Sequence, residues 1–437
     1  MKPYTMNRRR FMLGMLAAPL SAMGGITVGA ANAAISGIPK AGGQPGERLQ
    51  PWTPGCMDIH HIATGRGNAT FVLMPDGTSL LIDTGATADE LDVSAAPRPS
   101  AERRPGEWIG RYVQRHLHDA GSQALDYMLV THFHPDHTGD VTDNSPLSEH
   151  GYRLSGITDV AAIVPIGTLV DRGFPAYDYP AAPKGRFADN YLAYVQARLK
   201  QGLRVERFRT GSAAQFVPRG RHAVPPAGAA VIRNLAANGD VWTGNGENTR
   251  AMFPPLASLA AADYPNENVC SVAIRLSCGK FSYFTAGDLT SYTFDGDMPW
   301  RDVLTAAARA AGPVDVATAD HHGMFDGLSA DTVRTLRPQA WVIPAWHIAH
   351  PDMQQLERML SERLYPGPRD IFATSIMHEN FLANRRLVSR LRSTDGHIVV
   401  RVAPGGASFH IAVTDNTDEQ DRIKLVTGPY ASGRGTV

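Results

Sequence analysis

Thr131-His132-Phe133-His134-Pro135-Asp136-His137-Thr138-Gly139 follows directly on residues 127–130, an apolar run that reads as a buried β-strand. Three His and one Asp within six residues have no use in packing. Imidazole and carboxylate are the borderline ligands that suit Zn²⁺ and related divalent ions. Where a strand ends the chain turns, so alternate residues such as His132 and His134 can point at one ion. Asp136 and His137, further round the turn, can reach a second. A solvated, His-rich loop is the bland alternative, but such loops seldom follow a buried strand with this spacing.

Upstream, short apolar runs at 69–74 and 79–82 are separated by Pro75-Asp76-Gly77, a hairpin signal. Residues 107–117 place Trp108, Ile109, Tyr112, Val113 and Leu117 on one helical face. Downstream, the pattern weakens from 140 to 265, apart from a helix at 190–199, and a stretch of that length is too long for a structureless loop. It reads as an inserted segment overhanging the site. Strands are expected at 269–276, 282–286, 314–317 and 339–343, and helices at 301–311, 329–336 and 353–364, with Asp352 as an N-cap. Final strands are expected at 398–402 and 408–412. Strands before helices, twice over, predict two sheets faced by helices in a four-layer α/β arrangement.

The start of the chain has a different character. Asn7-Arg8-Arg9-Arg10-Phe11-Met12 precedes an Ala/Gly-rich apolar stretch that ends on Ala31-Asn32-Ala33, the order of a secretory leader. The Arg pair followed by Phe resembles the twin-arginine class, which implies export and a periplasmic or secreted protein. A membrane anchor is the competing reading of that stretch; its Gly, its Ala and the Ala-x-Ala ending favour cleavage. The expected organisation is a leader at 1–33, a Gly/Pro-rich linker at 34–55, a main domain at 56–415 with the insertion at 140–265, and a polar tail at 416–437.

Taking the leader's four basic residues from the 42 Lys and Arg leaves 38 against 42 acidic, so the mature chain is mildly acidic and has no footprint for non-specific nucleic-acid binding. No later run reaches membrane-spanning length, so a soluble mature protein without a stable span is expected. Cys270 and Cys278 flank one expected strand, too far apart to bridge, so Cys56, Cys270 and Cys278 are expected to be free thiols.

At His132, His134, Asp136 and His137 the sequence resembles the metallo-β-lactamase superfamily and its His-x-His-x-Asp-His motif. Gly65-Arg66-Gly67-Asn68-Ala69, Leu81-Ile82-Asp83-Thr84-Gly85, Asn266 to Leu276, Gly287-Asp288-Leu289, Asp320-His321-His322-Gly323 and His350-Pro351 are similar, in that order, to motifs of the hydrolase domain in ComEC-type competence proteins. The resemblance covers the chain on both sides of 140–265 and implies a four-layer αββα sandwich carrying an inserted segment. Two departures matter. That group has an Asp where this chain has Asn68, and Gly-His, the mark of the third ligand in many members, occurs only at Gly396-His397, far too late. By pattern alone Asp288 is equally an ordinary turn Asp; the resemblance implies that it holds the first ion together with His132 and His134. His150 and His222, in the inserted segment, are the fallback candidates.

The resemblance further aligns His322 with a ligand and leaves His321 to face substrate and donate to a developing oxyanion. Asp83 is expected to hydrogen-bond a metal-bound His and fix its tautomer. His350 either lines the pocket or caps the helix that follows. Two divalent ions, zinc first and manganese as the alternative, would hold a hydroxide that attacks an ester, amide or phosphoester centre, with Asp136 both ligating and orienting it. No Gly-x-Ser-x-Gly elbow supports a serine nucleophile. The first expectation is a phosphoester or phosphodiester hydrolase; the acidic charge favours a small substrate, such as a phospholipid head group or cell-wall phosphocholine, over polymeric nucleic acid. The alternatives are a lactone, ester or β-lactam hydrolase and, from another class, a metal-free binding module of the same fold.

Overall fold

The computed structural model describes residues 43–88 and 92–434. The expected leader and residues 34–42 of the expected linker lie outside the described residues.

The first sheet starts with β1 (Met57–His61), β2 (Thr70–Leu73), β3 (Ser79–Ile82), β4 (Leu125–Leu129), β5 (Ile166–Asp171) and β6 (Arg204–Arg207). The second holds β7 (Ala230–Ala237), β8 (Asp240–Trp242), β9 (Thr249–Ala251), β10 (Ala273–Cys278), β11 (Phe281–Thr285), β12 (Val316–Thr318), β13 (Ala340–Ile343) and β14 (Asp370–Ala373). The chain then returns to the first sheet as β15 (His397–Val402), β16 (Ser408–Thr414) and β17 (Ile423–Ala431). The orders are β17-β16-β15-β1-β2-β3-β4-β5-β6 and β14-β13-β12-β11-β10-β7-β8-β9.

Alternation along the strands decides the layers. Ile59, Val72, Leu80, Tyr127 and Leu129 of the first sheet pack against Ile274, Tyr283, Val316 and Val342 of the second. The residues between them, Phe71, Leu73, Leu81 and Met128, face the other way, under α1 (Pro105–Asp119), which precedes the one-turn α2 (Pro135–Thr138), then under α3 (Ile157–Ile163) and α4 (Arg186–Lys200). The outer face of the second sheet buries Phe284 and Trp341 against α5 (Val303–Ala311), α6 (Ala330–Leu336) and α7 (Met353–Leu360). The central strands β2 to β4 and β11 to β13 are therefore covered on both faces and buried throughout, which explains why they are largely apolar. The result is an αββα sandwich, as the strand and helix order predicts. The helix starts are chemically marked: Asp302 accepts from Thr305 N at 2.9 Å ahead of α5, and Asp352 from Gln354 N at 2.8 Å ahead of α7.

Two parts of the expected organisation differ. Residues 140–265 are not an insertion over the site: β5 and β6 extend the first sheet in parallel beyond β4, with α3 and α4 as their crossovers, and β7 pairs antiparallel with β10. β6 reads Arg-Val-Glu-Arg and β7 is interrupted by Arg233 and Asn234, so neither shows an apolar signature. The tail is not loose either. β17 pairs with β16, and Leu49 N and Gly46 N donate to Asp421 O and Ile423 O at 2.9 and 2.8 Å, which ties part of the expected linker to the same edge. All three cysteines are free and buried. Among the described residues no helix is long and apolar enough to cross a membrane.

Candidate metal centre

Four strand ends converge at one rim of the sandwich. β4 delivers His132, and α2 then wraps His134, as its N-cap residue, with Asp136 and His137 round one turn. The loops after β3 and before β2 clamp that turn: Thr84 N donates to His137 O and Asn68 N to Asp136 O, both at 2.8 Å. Gly85 is required here, because a Cβ would stand 1.9 Å from Asp136 O. The loop after β11 brings Asp288, whose N–H donates to Ser271 Oγ at 3.2 Å, and the loop after β12 brings His321 and His322. Asp83, His321 and His322 all take left-handed backbone, with φ of 59°, 50° and 54°. Non-glycine residues adopt that region rarely and at a cost, which points to side chains retained for another purpose.

The potential ligand atoms form two groups. His132, His134 and Asp288 make one; Asp136, His137, Asp288 and His322 make the other, with the atoms of each within 4.8 Å of one another. Asp288 belongs to both and offers one oxygen to each. Its Oδ2 lies 3.6 Å from His132 Nε2, and its Oδ1 lies 3.1 Å from His137 Nε2 and 3.5 Å from His322 Nε2. Within the groups, His132 Nε2 is 3.0 Å from His134 Nδ1, and His322 Nε2 is 2.9 Å from Asp136 Oδ2.

The tautomers test whether a cation fits. His137 Nδ1 lies 2.7 Å from Asp83 Oδ2 and His322 Nδ1 lies 2.9 Å from Pro344 O, so each Nδ1 carries the proton and donates it. Their Nε2 lone pairs then face each other at 3.3 Å, beside the Asp136 and Asp288 carboxylates. Lone pairs and carboxylates converging on one point in a buried site repel unless a cation lies among them, so the donor set fits a divalent ion. The electrostatics agree. Burial lowers the His137 pKa, but Asp288, Asp136 and Asp83 outweigh it and raise it well above the usual imidazole value, so these carboxylates draw positive charge to the point between the donors. Burial, with His137 next, pushes His132 well below the usual imidazole value and leaves it neutral for ligation.

His321 stands in neither group. Asp326 Oδ1 holds its Nδ1 at 2.6 Å, while its Nε2 is 3.2 Å from Asn268 Nδ2 and 3.9 Å from Asp288 Oδ2. Burial lowers its pKa, but Asp288 and the Asp326 bond outweigh that and raise it to about 9. His350 stacks on His322 with ring centroids 4.8 Å apart, and Trp346 meets both rings edge-on. Since Asp352 caps α7, His350 lines the site.

The structure thus brings together His132, His134, Asp136, His137, Asp288 and His322, with His321, Asp83 and His350 around them. It leaves out His150, whose partner is Gln201 in a solvent-exposed contact, and His222, which packs on Trp52. His397 is engaged elsewhere, with Nδ1 accepting from Ala63 N at 2.9 Å. Sequence reasoning missed Asp326, Asn268, Trp346 and the Pro344 carbonyl. Of these only Asp326, five residues from His321, carries a sequence signal, and it is indistinguishable from any turn Asp.

Residues 63–143 match the profile described as the metallo-beta-lactamase superfamily. Among curated proteins, none matches the chain. Similar solved structures include a mutant of CmlA beta-hydroxylase (12% identity, TM-score 0.36, covering 80% of this chain and 54% of that one). Another is a putative metal-dependent hydrolase from Parabacteroides distasonis (12%, 0.32, 73% and 93%). A third is human tRNase Z, short form (11%, 0.28, 65% and 91%). The chain spans about half the length of the first of these. The matched stretch is the one that holds His132, His134, Asp136 and His137, and the two facing sheets are consistent with that superfamily's sandwich fold.

Proposed function

We propose that the protein is an exported, dinuclear metal-dependent hydrolase acting on a phosphoester or phosphodiester. The observation that carries the dinuclear reading is Asp288, which presents one oxygen to each of two donor groups. Two divalent ions supply a Lewis acid and a nucleophilic water at neutral pH when bound in such a site. His132, His134 and Asp288 would hold one, and Asp136, His137, His322 and Asp288 the other.

The chain's own residues do the rest. Asp136 is half-buried at the rim, where its carboxylate would both hold an ion and orient the attacking water. Asp83 and Pro344 O fix the tautomers of His137 and His322. Asp326 fixes the His321 ring, so that the imidazole and the neighbouring Asn268 amide meet negative charge developing on substrate oxygen. A phosphoester is favoured because the order of motifs resembles the ComEC-type hydrolase domain and because the first donor group has two imidazoles rather than three. The basic and apolar leader supports the export part of the reading.

The test is metal analysis with a substrate screen on purified mature protein. We expect close to two metal ions per chain, zinc or manganese, and faster turnover of bis(p-nitrophenyl) phosphate than of nitrocefin or a homoserine lactone. Absence of metal after reconstitution refutes the enzyme reading, and preferred turnover of nitrocefin or the lactone reverses the substrate ranking.

A further inference from the structure

On the loops that carry Asp288 and His322 the protein exposes three aromatic rings in one patch. Tyr292, Phe294 and Phe325 are 37%, 44% and 53% exposed. Tyr292 stands 4.8 Å from Phe294 and 5.7 Å from Phe325, ring centroid to centroid. Single exposed apolar residues are ordinary; a contiguous group of large rings is not.

Their place in the chain ties them to the site. Tyr292 and Phe294 lie on the segment that leaves Asp288, and Phe325 on the segment that leaves His322. The two segments are joined by Ser291 N, which donates to Asp326 O at 2.9 Å, and the Asp326 side chain holds His321. A fourth exposed apolar side chain, Met353, begins α7 immediately after the His350 segment, and Gln355 Nε2 donates to Phe325 O at 3.0 Å. The patch is also preorganised. Phe294 and Asp295 take left-handed backbone with φ of 52° and 55°, and the Arg301 guanidinium lies 5.1 Å over the Phe294 ring. Burial of Phe294 does not offset that strain, because the ring remains in solvent.

We propose that Tyr292, Phe294 and Phe325 form a subsite for an acyl, alkyl or aryl group of the substrate, so that the enzyme acts on amphiphiles whose polar, scissile ester sits at the metal centre. The location of the scissile group rests on the metal-dependent reading above; its chemistry does not matter to the subsite. The occupant is the substrate's own hydrocarbon rather than a membrane surface. Exposed Asp295 and Asp297 flank the rings and disfavour an anionic bilayer, and the neighbouring cation, Arg301, is already stacked on Phe294 and Trp300.

Two homologous series on the zinc-loaded mature protein test this: alkyl p-nitrophenyl phosphates from methyl to octyl, and p-nitrophenyl esters from acetate to decanoate, all below their micellar concentrations. In whichever series turns over, kcat/KM should rise about twofold per added methylene, half the transfer free energy of a fully buried one. Phe294→Ser combined with Phe325→Ser should flatten that rise and leave the shortest substrate within about twofold of wild type. Phe294→Ser alone, which leaves the Tyr292–Phe325 pair in place, should give part of the effect, and a matching thermal melt shows that each variant is folded. A flat wild-type series, or a slope that survives in the double variant, overturns the proposal. So does a variant that loses binding to phosphatidylglycerol vesicles but keeps its slope on monomeric substrates. Which series turns over decides the reaction class separately. If neither does, the subsite is read by titrating octylphosphonate against methylphosphonate and following tryptophan fluorescence, where equal affinities overturn it.

Discussion

Asp83→Asn separates the tautomer argument from simple loss of a ligand. Asp83 is fully buried and touches no potential ion position. Its Oδ1 accepts from Thr131 N at 2.8 Å, and its Oδ2 accepts from Thr131 Oγ1 at 2.8 Å and from His137 Nδ1 at 2.7 Å. Asparagine keeps the shape and tolerates the φ of 59° better than most residues, so the backbone should hold. The amide oxygen would stay on Thr131 N, which places the NH₂ where Oδ2 was. The Thr131 hydroxyl can rotate to accept from it, but His137 can accept only by moving its proton to Nε2, the atom that faces Asp136, Asp288 and His322. Supports of this kind are worth about 10–100-fold in metal affinity, or about 1.4–2.7 kcal/mol. Competition between stripped protein and a chromophoric chelator for Zn²⁺ measures it. Weaker binding by that factor, with an unchanged circular dichroism spectrum, is the expected outcome. Unaltered affinity in the folded variant would refute the assignment of the His137 proton, and with it the test by which the donor set fits a cation.

Three further outcomes follow from the same geometry. His134→Ala should remove about one ion per chain and abolish hydrolysis while the fold persists, whereas Asp288→Ala should remove both ions; equal metal content in the two variants, read by plasma emission, would show that Asp288 is not shared. Gly85→Ala forces a Cβ against Asp136 O and Asn68 N, at 1.9 and 2.6 Å, and should destabilise the protein by about 3 kcal/mol and weaken metal binding; an unshifted thermal midpoint would contradict the packing. Burial, with His60 next for His61 and Arg115 next for His397, holds both of these imidazoles down at about 3. The unfolded chain takes up protons on both below about pH 6.5, and the native state does not until about pH 3. The unfolded state therefore binds more protons in that window, so stability falls with falling pH, at up to about 2.7 kcal/mol per unit. Urea midpoints at pH 7, 6 and 5 measure it, and a flat profile would show that the two rings are not buried neutral.

Legibility in the sequence followed from how much of a residue's role is local. The His132–His137 turn, the hairpin at 75–77 and the Asp352 cap are local, and each appears where its spacing places it. The layer order was legible too, because strands covered on both faces are apolar throughout. β6 and β17 were not, for opposite reasons: an edge strand such as Arg-Val-Glu-Arg needs only one buried position, Val205, and β17 sits behind the acidic loop 415–421, whose composition resembles a tail. The reading of 140–265 as an insertion failed on the same physics, since parallel strands joined through helices leave long polar connections between short apolar runs. At the site, partners that act through backbone atoms were beyond reach. Nothing about Pro344 as a residue type announces that its carbonyl fixes His322.

Left-handed backbone at Asp83, His321 and His322 ties these strands of argument together. A non-glycine residue in that region costs about 1–2 kcal/mol, and glycine would remove the cost at each position. Glycine would also remove the carboxylate that sets the His137 tautomer, the imidazole that Asp326 orients and an imidazole of the second donor group. The turns cannot simply be relaxed, because they are the means of delivery: His321 N donates to Gly287 O at 3.1 Å, so the left-handed turn at 321 and 322 is laid across the residue before Asp288. Gly287 itself, at φ 54°, lies so close to Thr131 that a Cβ would meet its side chain at 2.9 Å. The loops after β4, β11 and β12 therefore lock against one another, and Asp83, His321 and His322 each place a left-handed residue in or against the one cluster. Where local backbone preference is violated three times around a single cluster, the cluster is what the sequence has been shaped to hold.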